Sequence, residues 1–439
     1  MPCTAFAEVL KSDIVTGETV EARGLTIAQC PSIEAESALI MTEDGTVYFE
    51  RDADSYRKIA SITKIMTCLV ALDMGTASDL IPVSENAAEI GESSAGLQAG
   101  DIVEFQNMLL ALMVPSGNDA AIALAEYYGQ RILDANGGTG VLDATACVNA
   151  FVERMNAKAA ELGMTNTKFA NPHGLDDGEY EGDFGSTARD IATMVQYGMK
   201  NLLFRGVVST DGCDIAVKRD GETVVITLEP TDYMLSWYEG ALGVKTGHTD
   251  YAGSCFAGAS KRGSTEVYAI ILNSSDDSQR FYDAETCMDW LYENLVDVPL
   301  VSSAETCQMN IDGTMKTVPI VAYAAHSGWV NCTFPVTLAN PDETLEVFRL
   351  NGNLTMDVTI NDISGDVHAG DIVGSINFYQ HNELVHTAQL MACKDQIGPN
   401  FLEGIGVWFD RFLRGFTNEP TVAKNQIIAT TTILMDKTA

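Results

Sequence analysis

The chain has 439 residues, 61 of them acidic and 26 basic, for a formal net charge of −35. That balance argues against a nucleic-acid partner, because phosphate binding needs a concentrated basic surface. Hydrophobic residues at 46% and charged residues at 20% describe a folded globular chain, and the length exceeds what one hydrophobic core serves, so two domains are expected.

The N-terminal Ala5-Phe6-Ala7 reads as the end of a signal peptide, with cleavage before Glu8 and therefore export. Residues 36–50 read as a hairpin, Ser37–Met41 and Thr46–Phe49 joined through Glu43-Asp44-Gly45. From Ser61 the period turns helical. Ile62, Ile65, Met66, Leu69, Val70 and Leu72 make a helix that is apolar on most sides and stops at Gly75, as a core helix does. A second apolar helix is expected over about 103–113 and a third from about Asp119. Strand patterns return at Val224–Leu228, Ala241–Gly247, Gly253–Ser260 and Glu266–Leu272, and a closing helix at Asp283–Leu295. Helices between strands from both ends of a segment predict an α+β domain over 30–295.

Beyond Val298-Pro299, alternation such as Leu354, Met356, Val358, Ile360 predicts a small all-β domain over 299–395. Over 398–418, Phe401, Leu402, Ile405, Trp408, Phe409, Phe412, Leu413 and Phe416 fall on one helix face and Glu403, Asp410, Arg411 and Arg414 on the other. Such a helix suits a membrane interface, with packing on its own domain or on a second copy as the alternative. The tail after Pro420 reads as weakly structured. No run of 18 apolar residues is present. The ten cysteines are spread without any C-x-x-C, and H-E-x-x-H is absent, so neither a zinc site nor a disulfide is assigned.

Three short segments carry chemistry. In Ser61-Ile62-Thr63-Lys64, residues three apart share a helix face, so Lys64 reaches the Ser61 hydroxyl and acts as its base if desolvation lowers its pKa. The helix N-terminus adds N–H groups suited to an oxyanion. Alone the motif is weak: Ser55-Tyr56-Arg57-Lys58 repeats it in a polar stretch, and serine is a common N-cap. Ser116-Gly117-Asn118 follows Pro115 in a tight turn between helices; its residues are also ordinary turn formers, and Ser84-Glu85-Asn86 repeats the S-x-N pattern. Lys245-Thr246-Gly247 sits on a strand, where a cation and a hydroxyl can hold a carboxylate and a glycine leaves room for substrate. The set S-x-x-K, S-x-N, K-T-G, spaced by 55 and 129 residues, is that of penicillin-binding proteins and serine β-lactamases.

With these segments the chain resembles the low-molecular-mass penicillin-binding proteins of the D-alanyl-D-alanine carboxypeptidase type, a penicillin-binding/serine β-lactamase-like fold. Ala60–Thr67, Pro115–Ala120, Leu162–Thr167, His173–Asp176, Ser186–Asp190 and Val244–Thr249 all look like the family's segments, and the likeness covers roughly 30–295. The resemblance implies that Ser61 attacks the carbonyl between two D-alanines of a peptidoglycan stem peptide, with Lys64 accepting its proton and Ser116 relaying a proton to the leaving amine. It implies that Asn118 holds the peptide and Lys64, that Lys245 supplies the field, that Thr246 meets the terminal carboxylate beside Gly247, and that the N–H groups of Ser61 and His248 form the oxyanion hole. His173 and Arg189 are read as structural, and Arg280 as a carboxylate partner. β-Lactam antibiotics are the implied covalent ligands, and no metal or organic cofactor is implied. The expected place is extracytoplasmic, peripheral on the outer face of the cytoplasmic membrane through the C-terminal helix. A β-lactamase, whose deacylating glutamate would have to be Glu179 or Glu181 in a Gly/Asp-rich stretch without that class's usual pattern, a DD-endopeptidase or transpeptidase on the same residues, and a non-catalytic wall scaffold are the competing readings.

Overall fold

A computed structural model describes residues 13–137, 143–311 and 313–434, which divide into two compact units between Tyr292 and Glu293. The Ala5-Phe6-Ala7 triplet lies outside the described residues. The first unit is built on a seven-stranded sheet of antiparallel pairs. Its strands are β1 (Ile14–Val15), β2 (Glu18–Thr19), β3 (Ser37–Thr42), β4 (Val47–Arg51), β5 (Ala241–Thr249), β6 (Gly253–Arg262) and β7 (Thr265–Ser274), in the order β2-β1-β4-β3-β7-β6-β5. The sheet thus begins before residue 30. β1 is held there by a buried Asp13–Arg51 ion pair at 2.8 Å as well as by its ladder to β4.

Period-two alternation divides the sheet's side chains between two cores. Cys255, Ala257 and Ala259 of β6 and Tyr268, Ile270 and Leu272 of β7 join the large cluster made by the helical block. From the opposite face Phe256 meets Phe281 of the helix Gln279–Asn294 with ring centroids 5.0 Å apart, and Phe49 meets Trp290 at 5.8 Å. The helix Thr63–Met74 runs through the helical core with Thr63 through Ala71 all buried, which is why it reads as apolar on most sides. The interhelical segment is a short strand, Ile102–Glu104, and then the helices Phe105–Met113 and Asn118–Ala135. Ile102–Glu104 belongs to a four-stranded sheet with Leu80–Pro82, Cys213–Arg219 and Glu222–Leu228.

Among its described residues the second unit is all-β apart from one helix and a short 3₁₀ turn: a six-stranded sheet and two two-stranded ones. Met356, Val358 and Ile360 pack on its core, as their alternation predicts. The helix Phe401–Thr417 is started by a capping box, in which Asn400 Oδ1 accepts from the Leu402 and Glu403 N–H groups and Glu403 reaches back to Asn400 N. It has no buried residue, and its eight large apolar side chains, Trp408 and Phe412 among them, are exposed. Its polar side is the tethered one: Arg411 donates to the carbonyls of Ser327 and Trp329, and Arg414 pairs with Asp410. The tail after Pro420 differs from the sequence expectation. Gln426–Ile427 pairs with Ala322–Ala325, and Ser302 and Thr430 exchange backbone hydrogen bonds at 2.7 and 2.8 Å. The helix is therefore an excursion between strands. Ladder bonds to a distant partner order a tail whose own composition gives little signal. No helix among the described residues is long and apolar enough to cross a membrane, and the nine cysteines among them are free thiols.

Candidate active site

Ser61 lies in a 3₁₀ turn, Ala60–Ile62, and the α-helix starts two residues later at Thr63. Ala60 has φ +47° and is buried. A non-glycine residue in that region costs on the order of 1–3 kcal/mol and persists only where its surroundings over-determine it. Here Ile59 and Ile62 are buried on either side, and Gly174 packs directly on the Ala60 carbonyl. The turn leaves Ser61 half-exposed at the top of a buried helix.

Lys64 is fully buried, with its Nζ 2.8 Å from Ser61 Oγ, 2.7 Å from Asn118 Oδ1 and 2.9 Å from the His173 carbonyl oxygen. Asn118 Nδ2 donates to the Gly91 carbonyl, which fixes the amide so that its oxygen faces the lysine. The consequence follows from counting protons. A neutral amine has two N–H bonds and one lone pair. The Asn118 and His173 oxygens can only accept, so they take both N–H bonds, and the lone pair is left facing the Ser61 hydroxyl. Burial, and next the positive charge of Lys245, push the Lys64 pKa well below its ordinary value, which populates the base form that this geometry uses.

Asn118 and Ser116 come from the turn between two helices. Ser116 is buried with φ +63°, Gly117 N donates to the Ala111 carbonyl, and Asn118 N donates to the Ser93 carbonyl. The anchor behind the turn is Asp119, a buried carboxylate that accepts from Ala95 N, Leu97 N and Ser94 Oγ at 2.7–3.1 Å. It satisfies a loop that would otherwise bury bare N–H groups beside the site.

β5 is the sheet's edge strand, and it lies against the Ala60–Ile62 turn that carries Ser61. A Cβ on Gly247 would come 2.9 Å from the Ile59 carbonyl oxygen and 3.2 Å from Ile62 N, so only glycine allows this approach. Lys245 and Thr246 are buried; Thr246 Oγ1 donates to Thr231 Oγ1 at 2.8 Å, and Lys245 Nζ donates to the Thr246 carbonyl at 2.9 Å. Burial, then the neighbouring Arg280, lower the Lys245 pKa to about 7, and burial raises that of nearby Asp232 to about 7. Arg280 Nη1 donates to the Gly247 carbonyl at 3.1 Å and pairs with Asp277 at 3.0 Å. The His248 ring, half-exposed, is held by Asp277 and Ser254 at 3.0 and 3.1 Å.

A pH prediction follows. Lys245→Gln removes a cation that disfavours protonation of Lys64, so the Lys64 pKa rises and less base is present at a given pH. The acid limb of the acylation rate with benzylpenicillin is expected to move to higher pH. Stopped-flow rates measured from pH 5 to 10 check this, and an unmoved limb would show that Lys245 does not set the base.

The structure joins Ser61, Lys64 and Asn118 by direct hydrogen bonds, and it sets Lys245, Thr246, Gly247 and His248 on the strand that borders them. Ser116 stands two residues before Asn118 in the shared turn. Arg189 is remote from this network, paired with Asp54 and Glu50. The His173 ring is buried, and burial and then Lys64 lower its pKa to about 3, so it is neutral. Its contribution to the site is its carbonyl oxygen. That atom, Thr231, Asp232, Asp119 and Asp277 are the parts that sequence reasoning missed. A backbone oxygen carries no side-chain signal, and the others precede or follow the recognised triplets by up to 30 residues.

Comparison with known proteins places the chain among relatives. The sequence profile described as D-alanyl-D-alanine carboxypeptidase matches residues 25–276. The D-alanyl-D-alanine carboxypeptidase DacF of Bacillus subtilis is 31% identical over 280 residues, 62% of this chain and 66% of that protein. A D-alanyl-D-alanine endopeptidase of Pseudomonas aeruginosa is 27% identical over 310 residues, covering 70% of this chain and 92% of its own length. The crystal structure of the Streptomyces K15 DD-transpeptidase superimposes with a TM-score of 0.54 at 32% identity, covering 59% of this chain and 97% of that one.

Proposed function

Because the chain belongs to the D-alanyl-D-alanine carboxypeptidase family of peptidases, we propose that it removes the terminal D-alanine of peptidoglycan stem peptides through an acyl-enzyme on Ser61. The observation that carries this reading is the buried Lys64, whose two N–H bonds are taken by Asn118 and His173 and whose lone pair is left for the Ser61 hydroxyl. In the proposed reaction Ser61 Oγ attacks the carbonyl and Lys64 takes its proton. The proton reaches the leaving nitrogen by way of Ser116, and water then hydrolyses the ester. Thr246, with Arg280 behind it, receives the terminal carboxylate, Asn118 and the Lys245–Gly247 strand line the peptide, and the Ser61 and His248 N–H groups stabilise the oxyanion. β-Lactams acylate the same serine. Intact-protein mass spectrometry after benzylpenicillin treatment, together with an assay of released D-alanine, tests the reading. A long-lived adduct with D-alanine release is expected; rapid drug turnover without an adduct would instead indicate a β-lactamase, and neither would indicate a scaffold.

The same proposal places the protein outside the cytoplasmic membrane, resting on it through the helix Phe401–Thr417. What supports this is the exposed apolar face turned away from the tethered polar one. The charges Glu403, Asp410, Arg411 and Arg414 cancel, and both arginines are engaged within the protein, so apolar burial is the attraction and salt has little to screen. Binding to phosphatidylcholine vesicles is expected to be unchanged between low and high salt, and to fall at least tenfold in Trp408→Glu/Phe412→Glu. Cosedimentation measures both. Substitution is the cleaner test because the chain after the helix returns to the sheet.

A further inference from the structure

Beside the K-T-G strand lies a cavity of about 380 Å³, within the usual size of a small-molecule site. Its walls include Thr231, Tyr233, Trp237, Asp277, Arg280 and Tyr282. Two of these are shared with the site already described: Thr231 accepts from Thr246 Oγ1, and Arg280 donates to the Gly247 carbonyl. The cavity is therefore continuous with the K-T-G strand. Three rings at its rim stay in solvent, Tyr233 at 63%, Trp237 at 45% and Tyr282 at 53% exposure. Trp237 is propped by Tyr238 and Tyr282, with centroids 6.0 and 6.2 Å away. Clustered exposed aromatics of this kind mark a binding surface, because they offer large apolar area for little lost conformational freedom. The charged groups in the lining, Asp277 and Arg280, neutralise each other at 3.0 Å.

We propose that this cavity is a specificity pocket for the side chain of the leaving residue, and that it admits terminal D-amino acids with large apolar or aromatic side chains as well as D-alanine. The inference rests on the orientation proposed above, in which Thr246 and Arg280 hold the terminal carboxylate. With that group fixed, the leaving residue's side chain has the aromatic-rimmed space beyond Thr231 open to it, and a methyl group leaves most of that space unfilled. With Arg280 shared between that carboxylate and Asp277, the lining has no free charge left to pair a charged side chain, which favours an uncharged occupant. The chemistry is unchanged: the Ser61 Oγ–C bond forms, the amide C–N bond breaks, the serine proton ends on the nitrogen of the released D-amino acid, and water then cleaves the ester.

The test compares three acyl-tripeptide substrates ending in D-Ala-D-Ala, D-Ala-D-Phe and D-Ala-D-Lys. Wild type is expected to release D-Phe with kcat/KM within tenfold of D-Ala and above D-Lys. Trp237→Ala/Tyr282→Ala is expected to lower the D-Phe to D-Ala ratio at least threefold, a quantity from which general damage to the enzyme cancels. A wild type that releases D-Phe more than tenfold slower than D-Ala, or no faster than D-Lys, overturns the pocket. So does a ratio that moves less than threefold in the variant. If wild type cleaves none of the three and forms no penicillin adduct, the peptidase reading fails and the pocket falls with it.

Discussion

Ser61→Ala is expected to lose the penicillin adduct completely while its thermal unfolding stays close to wild type. The hydroxyl is half-exposed and a single methylene-borne oxygen is removed, so no cavity opens in the core. Lys64→Met keeps the length and the burial but removes the base. Acylation is expected to fall by about 10²–10⁴-fold, the usual worth of a positioned general base. Unlike Ser61→Ala, it also costs stability, since the Asn118 and His173 oxygens lose their shared donor inside the protein and each orphaned acceptor costs about 1–3 kcal/mol. Intact-mass labelling kinetics and calorimetry separate the two. A Ser61→Ala protein that still labels would remove the nucleophile assignment, and a Lys64→Met protein that acylates at the wild-type rate would remove the base.

Gly174→Ala is expected to be nearly as damaging to activity although it lies in no recognised catalytic motif. Gly174 has φ +96°, and an added Cβ would stand 2.0 Å from the Ala60 carbonyl oxygen and 3.0 Å from Ser61 N. Neither is a flexible side-chain end, so backbone must move. The candidates are the Ala60–Ile62 turn, already held at a positive φ, and the segment 171–175, which Asn171 clamps through Gly174 N and the Leu175 carbonyl. Either movement pulls the His173 carbonyl or Ser61 away from Lys64. A displacement of about an ångström at such a centre costs on the order of 10²-fold in rate, and that loss is expected in both D-alanine release and penicillin acylation. Gly178→Ala is the control: its φ is +55° but a Cβ there meets nothing within 4 Å. It is expected to carry backbone strain on the order of 1 kcal/mol with near-normal kinetics. Equal kinetics for the two variants would show that the Gly174 contact does not hold the site in register.

The two variants mark the line between what could be read along the chain and what needed the fold. Side-chain chemistry is written locally. A hydroxyl and an amine three residues apart on an apolar helix, a Ser-Gly-Asn turn, and a Lys-Thr-Gly strand have recognisable composition, and the alternation or helical period around each says what element carries it. Hence Ser61, Lys64, Ser116, Asn118, Lys245, Thr246 and Gly247 could be picked out from sequence as candidates, with His248 added by the family resemblance, as could the hairpin at Ser37–Thr42 and Val47–Arg51 and the amphipathic face of Phe401–Thr417. The remaining features depend on contacts between residues far apart in sequence. The oxygen that completes the Lys64 cage comes from a backbone 109 positions away, and every residue has such an oxygen. The strand Gln426–Ile427 has no pattern of its own until Ala322–Ala325 supplies its ladder. The pKa values of Lys64 and Lys245 are lowered by burial and by neighbouring cations, which follow from packing and not from residue type. The sequence by itself determined which groups this protein has for chemistry and on which elements they ride. Only the tertiary structure decided which lone pair faces the serine, because that depends on acceptors that long-range closure, not local spacing, brings to the amine.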